Sequence, residues 1–278
     1  MSDFALQISE DINKALAADQ LDLPSLPEVA LEIREVAESE NVSAISLSSV
    51  VAKDPSLATQ LVRIANSPMF RATRSIDDLS QAISRLGVEY AANIVTGMAM
   101  QQMFQATSEM VDRKIRQVWR ASTDIAAWSS ILTKRYTTLR PDQATLAGLT
   151  HAIGVLPILG WVEENDGVIR DSMTLDRVID SLHPTIGTMI LNEWNFAPEI
   201  VVVPEAYQDL SRAAKTADYV DVVAVANIIC QNESDQADIE DEWDSTDAFD
   251  RLGFPAQMNE AQFAELVEEV REVQNVFR

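Results

Sequence analysis

The sequence predicts an all-α protein, a multi-helix bundle, and three observations carry that expectation. Glycine (8) and proline (10) are few for 278 residues, so the turn chemistry of an all-β fold is scarce. Apolar side chains make up 47% of the chain and recur every three or four residues over most of its length, the period of a helix with one buried face. The only β-like run is the three valines at 201–203, which Pro204 ends.

The amino terminus reads as an acidic amphipathic helix, without the charged-then-apolar order of a signal peptide. Leu26 and Pro27 open a segment with Val29, Ile33 and Val36 at helical spacing. Asp54 is a cap, Pro55 a first-turn proline, and Leu57, Leu61 and Ile64 the apolar stripe of the helix they begin. Pro68 stops that helix at Asn66 and Ser67, whose short polar side chains suit the last free carbonyls. Ser75 with Asp78 three residues on predicts a capping box, and Gly87 closes the helix carrying Leu79, Ala82, Ile83 and Leu86. Residues 88–104 are almost wholly apolar or small, which predicts a central buried helix.

A long helix is expected from Glu109 to Tyr136, with Ile115, Val118, Trp119, Ile125, Trp128 and Leu132 inward. The run 143–161 predicts a core helix that Pro157 kinks or ends. Shorter helices are expected over 175–182, 183–194, 198–207 and 216–230. Residues 233–250 hold nine acidic side chains and no basic one, which reads as a solvated loop; the calcium-loop pattern is missing. Phe263, Leu266, Val267, Val270 and Val273 share one face of a final helix, expected to pack back on the protein, a partner-binding helix being the alternative.

Charge narrows the function. Lys and Arg number 21 against 44 Asp and Glu, a net charge of −23, so no basic field exists to hold nucleic acid or an anionic membrane. No apolar stretch is expected to be long enough to span a bilayer. The single cysteine, Cys230, cannot form an intramolecular disulfide, which points to a reducing, cytoplasmic setting. Its apolar neighbours predict a buried neutral thiol.

Catalytic templates are missing too. There is no nucleophile elbow, phosphate-cradling loop, dinucleotide fingerprint or zincin pair, and no cofactor is expected. The only histidines are His151 and His183, so a histidine-rich metal site is impossible. His151 lies in an apolar run and reads as hydrogen-bonded core; His183, before Pro184, reads as a cap at a helix junction.

Three segments carry a resemblance. They are residues 23–30, with Leu23, Pro24, Leu26 and Pro27; residues 50–68, with Asp54–Pro55 and Ala65–Asn66–Ser67; and residues 75–87, with Ile76, Leu79, Ala82–Ile83 and Leu86–Gly87. Weaker matches follow at 118–122, 147–154 and 183–194. In that order the motifs are similar to those of the HDOD domains, relatives of the HD-type metal phosphohydrolases, over roughly residues 20–230. The resemblance implies an all-α fold of two packed helical subdomains, here 1–107 and 108–230, followed by an acidic loop and helix at 231–278.

It also implies where an HD metal site would lie. The first histidine position falls on Ala121, the His-Asp pair reads His151–Ala152, the later aspartate falls on Asn227, and the lysine often found nearby is Val155. Alanine has no donor atom and asparagine cannot replace a bridging carboxylate, so the expectation is a degenerate site with no catalytic metal. The family is regarded as regulatory, which implies a signalling module with a protein partner. A divergent metal-dependent phosphohydrolase, or a small-ligand sensor using the old pocket, are the alternatives. No receiver, kinase or cyclase-type segment is expected, so input and output would come through contacts in trans.

Overall fold

Every regular element among the described residues is helical. The computed structural model describes residues 3–70, 75–106, 108–165, 167–169, 171–232, 246–255 and 258–277. Short-range chemistry sets most boundaries. In the first part of the chain α1 (Asp3–Ala17), α2 (Glu28–Ala37), α3 (Ala44–Val51) and α4 (Pro55–Ala65) follow one another. Ser43 and Ser46 cap α3 reciprocally, and Asp54 Oδ1 accepts the Ser56 and Leu57 amides at 2.9 and 3.2 Å to open α4. Next come α5 (Leu79–Leu86) and α6 (Val88–Ala99). The cap of α5 is Asp78, whose Oδ1 takes the Gln81 amide at 2.8 Å, and not Ser75 as expected. Gly87, at φ +87°, serves both helices, closing α5 and opening α6 in a backbone conformation that side chains resist.

The core is built on α6 and α7 (Glu109–Tyr136), with α8 (Pro141–Thr150) and α13 (Tyr219–Gln231) packed on α7. The expected buried helix at 88–104 is α6 extended by a 3-10 turn, Met100–Met103. Small residues on α7 let α8 approach closely: a side chain at Gly148 would lie 2.6 Å from Ala126 Cα. The run 143–161 is not one helix broken at Pro157. It breaks at 151–154, and Pro157 sits in the first turn of α9 (Val155–Glu164), where a missing N–H costs nothing. The combined stretch Pro141–Glu164 is in fact long and apolar enough to cross a membrane, contrary to expectation, but 78% of its 18-residue apolar window is buried inside the protein.

Two expected helices at 175–182 and 183–194 are one, α10 (Ser172–Glu193), with Pro184 in its interior. Burial of Leu182, His183, Ile186, Ile190 and Leu191 holds the second half in line despite the lost backbone bond. The region 198–207 is two single turns, α11 (Pro198–Val201) and α12 (Val203–Ala206). Asp218 caps α13, and the buried Asp221 receives Arg251 Nη2 at 2.7 Å and Arg212 Nη1 at 3.2 Å, fastening α14 (Asp247–Leu252) to it. Residues 247–250, expected in the acidic loop, are therefore helical; 233–245 lie outside the described residues.

The final helix, α15 (Glu260–Phe277), packs on α7 as expected through Phe263, Leu266, Val270 and Val273. Arg135 on α7 holds Glu269 at 2.6 Å, and Arg63 on α4 donates to the Asn275 carbonyl at 2.9 Å. The opposite end is tied by Arg34, which donates to the carbonyls of Trp194 and Asn195 at the end of α10 (2.6 and 2.8 Å) and lies over the Phe196 ring. Trp194 Nε1 donates in turn to the Pro24 carbonyl at 3.1 Å.

Candidate functional site

The two histidines, 32 positions apart in sequence, meet around one tyrosine. His151 ends α8, and its Nδ1 donates to the Gly148 carbonyl at 2.7 Å. His183 is not a junction cap; it lies inside α10 and is buried. Tyr207, just past α12, stands edge-on to His151 with ring centroids 5.0 Å apart, and 6.1 Å from His183. Its hydroxyl accepts from Gln208 Nε2 at 2.9 Å and stands 3.5 Å from His183 Nε2. His183 Nδ1 has no partner among the described residues.

Glycines make this meeting possible. A Cβ on Gly154 would lie 2.1 Å from the His183 carbonyl oxygen and 2.5 Å from the Gly187 amide. A Cβ on Gly187 would lie 2.9 Å from Pro204. Backbone thus meets backbone at this crossing, and the two motifs at 147–154 and 183–194 form one packing unit. Burial sets the electrostatics. It lowers His151 to about 4, against the opposing pull of the Gly148 carbonyl, and lowers His183 to about 3 with help from the neighbouring His151. Burial also raises the Tyr207 hydroxyl to about 12. All three groups are neutral near pH 7.

An HD metal does not fit this donor set. Ala121 is exposed and Ala152 nearly buried, and neither has a donor atom. Asn227 is half-buried, and its Oδ1 accepts from Gln231 Nε2 at 3.4 Å, one turn along its own helix. His151 has only Nε2 left, and Val155, at the lysine position, is core. Among the described residues no three His, Cys, Asp or Glu side chains converge. Five surface cavities open elsewhere, and none of the five is lined by Ala121, His151, Ala152, His183 or Asn227.

The other motif residues act within the fold. Asp54 Oδ2 accepts Gln102 Nε2 at 2.8 Å in addition to its capping bonds, and Pro55 fills the first turn of α4. Asn66 brackets the chain across the turn: Nδ2 donates to the carbonyls of Val62 (3.0 Å) and Ile76 (2.7 Å), and Oδ1 accepts the Ile76 amide at 2.8 Å. Ser67 continues the turn, its carbonyl accepting from the Phe70 amide at 3.0 Å. Cys230 is half-buried, and burial and Asp124 raise its thiol to about 12, which keeps it protonated near pH 7. Sequence reasoning missed Tyr207 and Gln208, and the buried carboxylates Asp142 and Asp221; a lone aspartate in the apolar run of α13 was the available signal for the last.

Comparison with known proteins agrees with the all-α, HD-like architecture. A family model for the HDOD domain matches residues 23–210, and the chain belongs to that family. A crystal structure from Shewanella amazonensis SB2B, of a protein provisionally named a metal-dependent phosphohydrolase, superposes with a TM-score of 0.89 at 27% identity, covering 100% of both chains. An HDOD domain protein of unknown function from Geobacter sulfurreducens gives 0.67 at 20% identity, over 98% of this chain and 97% of that one. A protein from Marinobacter aquaeolei VT8, provisionally named for signal transduction, gives 0.66 at 20% identity, over 99% of this chain and 66% of that one. Among curated sequences, an uncharacterized protein of Treponema pallidum (strain Nichols) is 24% identical over 230 residues. That match takes in 77% of this chain and 43% of the relative, so the chain spans less than half the relative's length.

Proposed function

We propose that this HDOD chain is a non-catalytic regulatory module of signal transduction, cytoplasmic, acting by contact with a protein partner and not with nucleic acid or membrane. The observation that carries the reading is the donor set: alanine at two of the four HD positions, asparagine at a third, and the one remaining histidine buried against Tyr207. Water activation needs a cation held by several ionised or imidazole ligands, and a lone Nε2 is no such site. A net charge of −23 supports the exclusion of nucleic acid. The Marinobacter protein's name agrees with a signalling role.

The name of the Shewanella relative, at 27% identity, favours a second reading, a divergent metal-dependent phosphohydrolase. Metal analysis of the purified chain, with assays of phosphomonoesters, phosphodiesters and nucleotides in manganese, magnesium, zinc and iron, separates the two. The expected result is no stoichiometric metal and background rates, with a specific protein recovered by co-purification from the native cell. A stoichiometric transition ion, or turnover abolished by His151→Ala, would overturn the regulatory reading.

A further inference from the structure

A cavity of about 700 Å³ opens where the start of α4, the 3-10 turn Met100–Met103 and the first half of α7 meet. Its wall combines an aromatic ring, several amides, one ion pair and a hydrogen-bonded carboxylate. Trp119 is half-buried, tilted 50° against Phe104 with ring centroids 4.8 Å apart, and its indole N–H donates no hydrogen bond among the described residues. The side chains of Gln101 and Gln105 are exposed and make no hydrogen bond among the described residues either.

The charges on the wall are already engaged. Asp54 accepts two backbone amides and Gln102, and Asp112 Oδ2 holds Arg116 Nε at 2.8 Å. Two carboxylates against one guanidinium, in a chain of net charge −23, repel an anionic ligand. Both carboxylates already accept hydrogen bonds, Asp54 from neutral donors and Asp112 from Arg116. The side chains on the wall with no hydrogen bond among the described residues include three neutral polar ones: the indole of Trp119 and the amides of Gln101 and Gln105.

We infer that this cleft binds a small, uncharged, planar heterocycle of the nucleobase or nucleoside class, stacked on Trp119 with its polar edge on the amides of Gln101 and Gln105. A glutamine amide sets a donor beside an acceptor, the pattern that matches a base edge, and an aromatic ring offers a face to any base. The volume suits a ligand of that size. The cleft shares no residue with the histidine pair, so binding here is independent of the HD positions.

Isothermal titration of the full chain with adenosine, guanosine, cytidine and uridine, and with their 5′-monophosphates, tests the inference. The expected result is saturable binding of at least one nucleoside with a Kd below about 1 mM, weakened about tenfold or more by the added phosphate. Trp119→Leu, which keeps apolar volume and removes the stacking face, is expected to weaken binding by about tenfold or more. Gln101→Ala combined with Gln105→Ala changes only exposed side chains, and is expected to weaken it by about fivefold even if the tryptophan variant misfolds. No saturable heat with any of the four nucleosides, tighter binding of the monophosphates, or unchanged affinity in the glutamine variant would each overturn the proposal.

Discussion

Lowering the pH from 7 to 5 is expected to weaken the fold through its two histidines. Burial holds His151 down to about 4 and, with His151 beside it, His183 down to about 3, against about 6.5 in an unfolded chain. Below pH 6.5 the unfolded chain takes up protons that the folded protein does not, so stability falls as pH falls. The contribution is whole above about 6.5, and its loss continues until His151 titrates near 4 and His183 near 3. At pH 5 each imidazole is still neutral in the fold, while the pH lies about 1.5 units below the value at which the unfolded chain takes up its proton. At about 1.4 kcal/mol per unit that is roughly 2 kcal/mol each, and roughly 4 kcal/mol for the pair. Asp180, raised by burial and by Asp176, works in the opposite direction as its carboxyl takes up a proton. Urea unfolding followed by circular dichroism at pH 7, 6 and 5, at constant ionic strength, reads the change. His151→Gln and His183→Gln are each expected to remove about half of the drop. Equal stability at pH 5 and 7, or an undiminished drop in both variants, would refute the reasoning.

Three substitutions probe the packing. Gly154→Ala drives a methyl into the His183 carbonyl, a backbone atom that cannot swing aside, and is expected to cost about 3 kcal/mol; a melting temperature equal to the parent's would contradict the crossing geometry. Asn66→Ala removes three partly buried hydrogen bonds across the turn and is expected to cost about 2 kcal/mol by chemical denaturation; a variant that keeps its stability but loses a binding partner would mean that the turn is a contact surface. Asp221→Ala leaves Arg251 without its close carboxylate while Arg212 keeps Asp218, and is expected to cost about 3 kcal/mol, with faster amide exchange in α14; unaltered exchange there would show that apolar contacts alone hold that helix.

Local signals in the sequence determined the all-α class, the span of the longest helix, the cap at Asp54 and the stop at Asn66–Ser67–Pro68. Each depends on residues within about four positions, where the helical period and the first-turn bonds operate. That Ala121 and Ala152 bring no donor atom was legible for the same reason, since a side chain without one is inert wherever it lands. Pro157 and Pro184 misled because proline is costly only where its missing N–H or its ring has a helical partner to disturb. In α9 the first turn has no such partner, and in α10 buried contacts outweighed the loss. Only the tertiary structure decided that His151 and His183 face each other across Tyr207, that Gly154 and Gly187 let the backbones touch, and that the open cleft lies beside Trp119. These contacts join residues far apart in sequence, 56 positions for His151 and Tyr207, and no periodicity within a helix encodes which face of a distant helix will bury it.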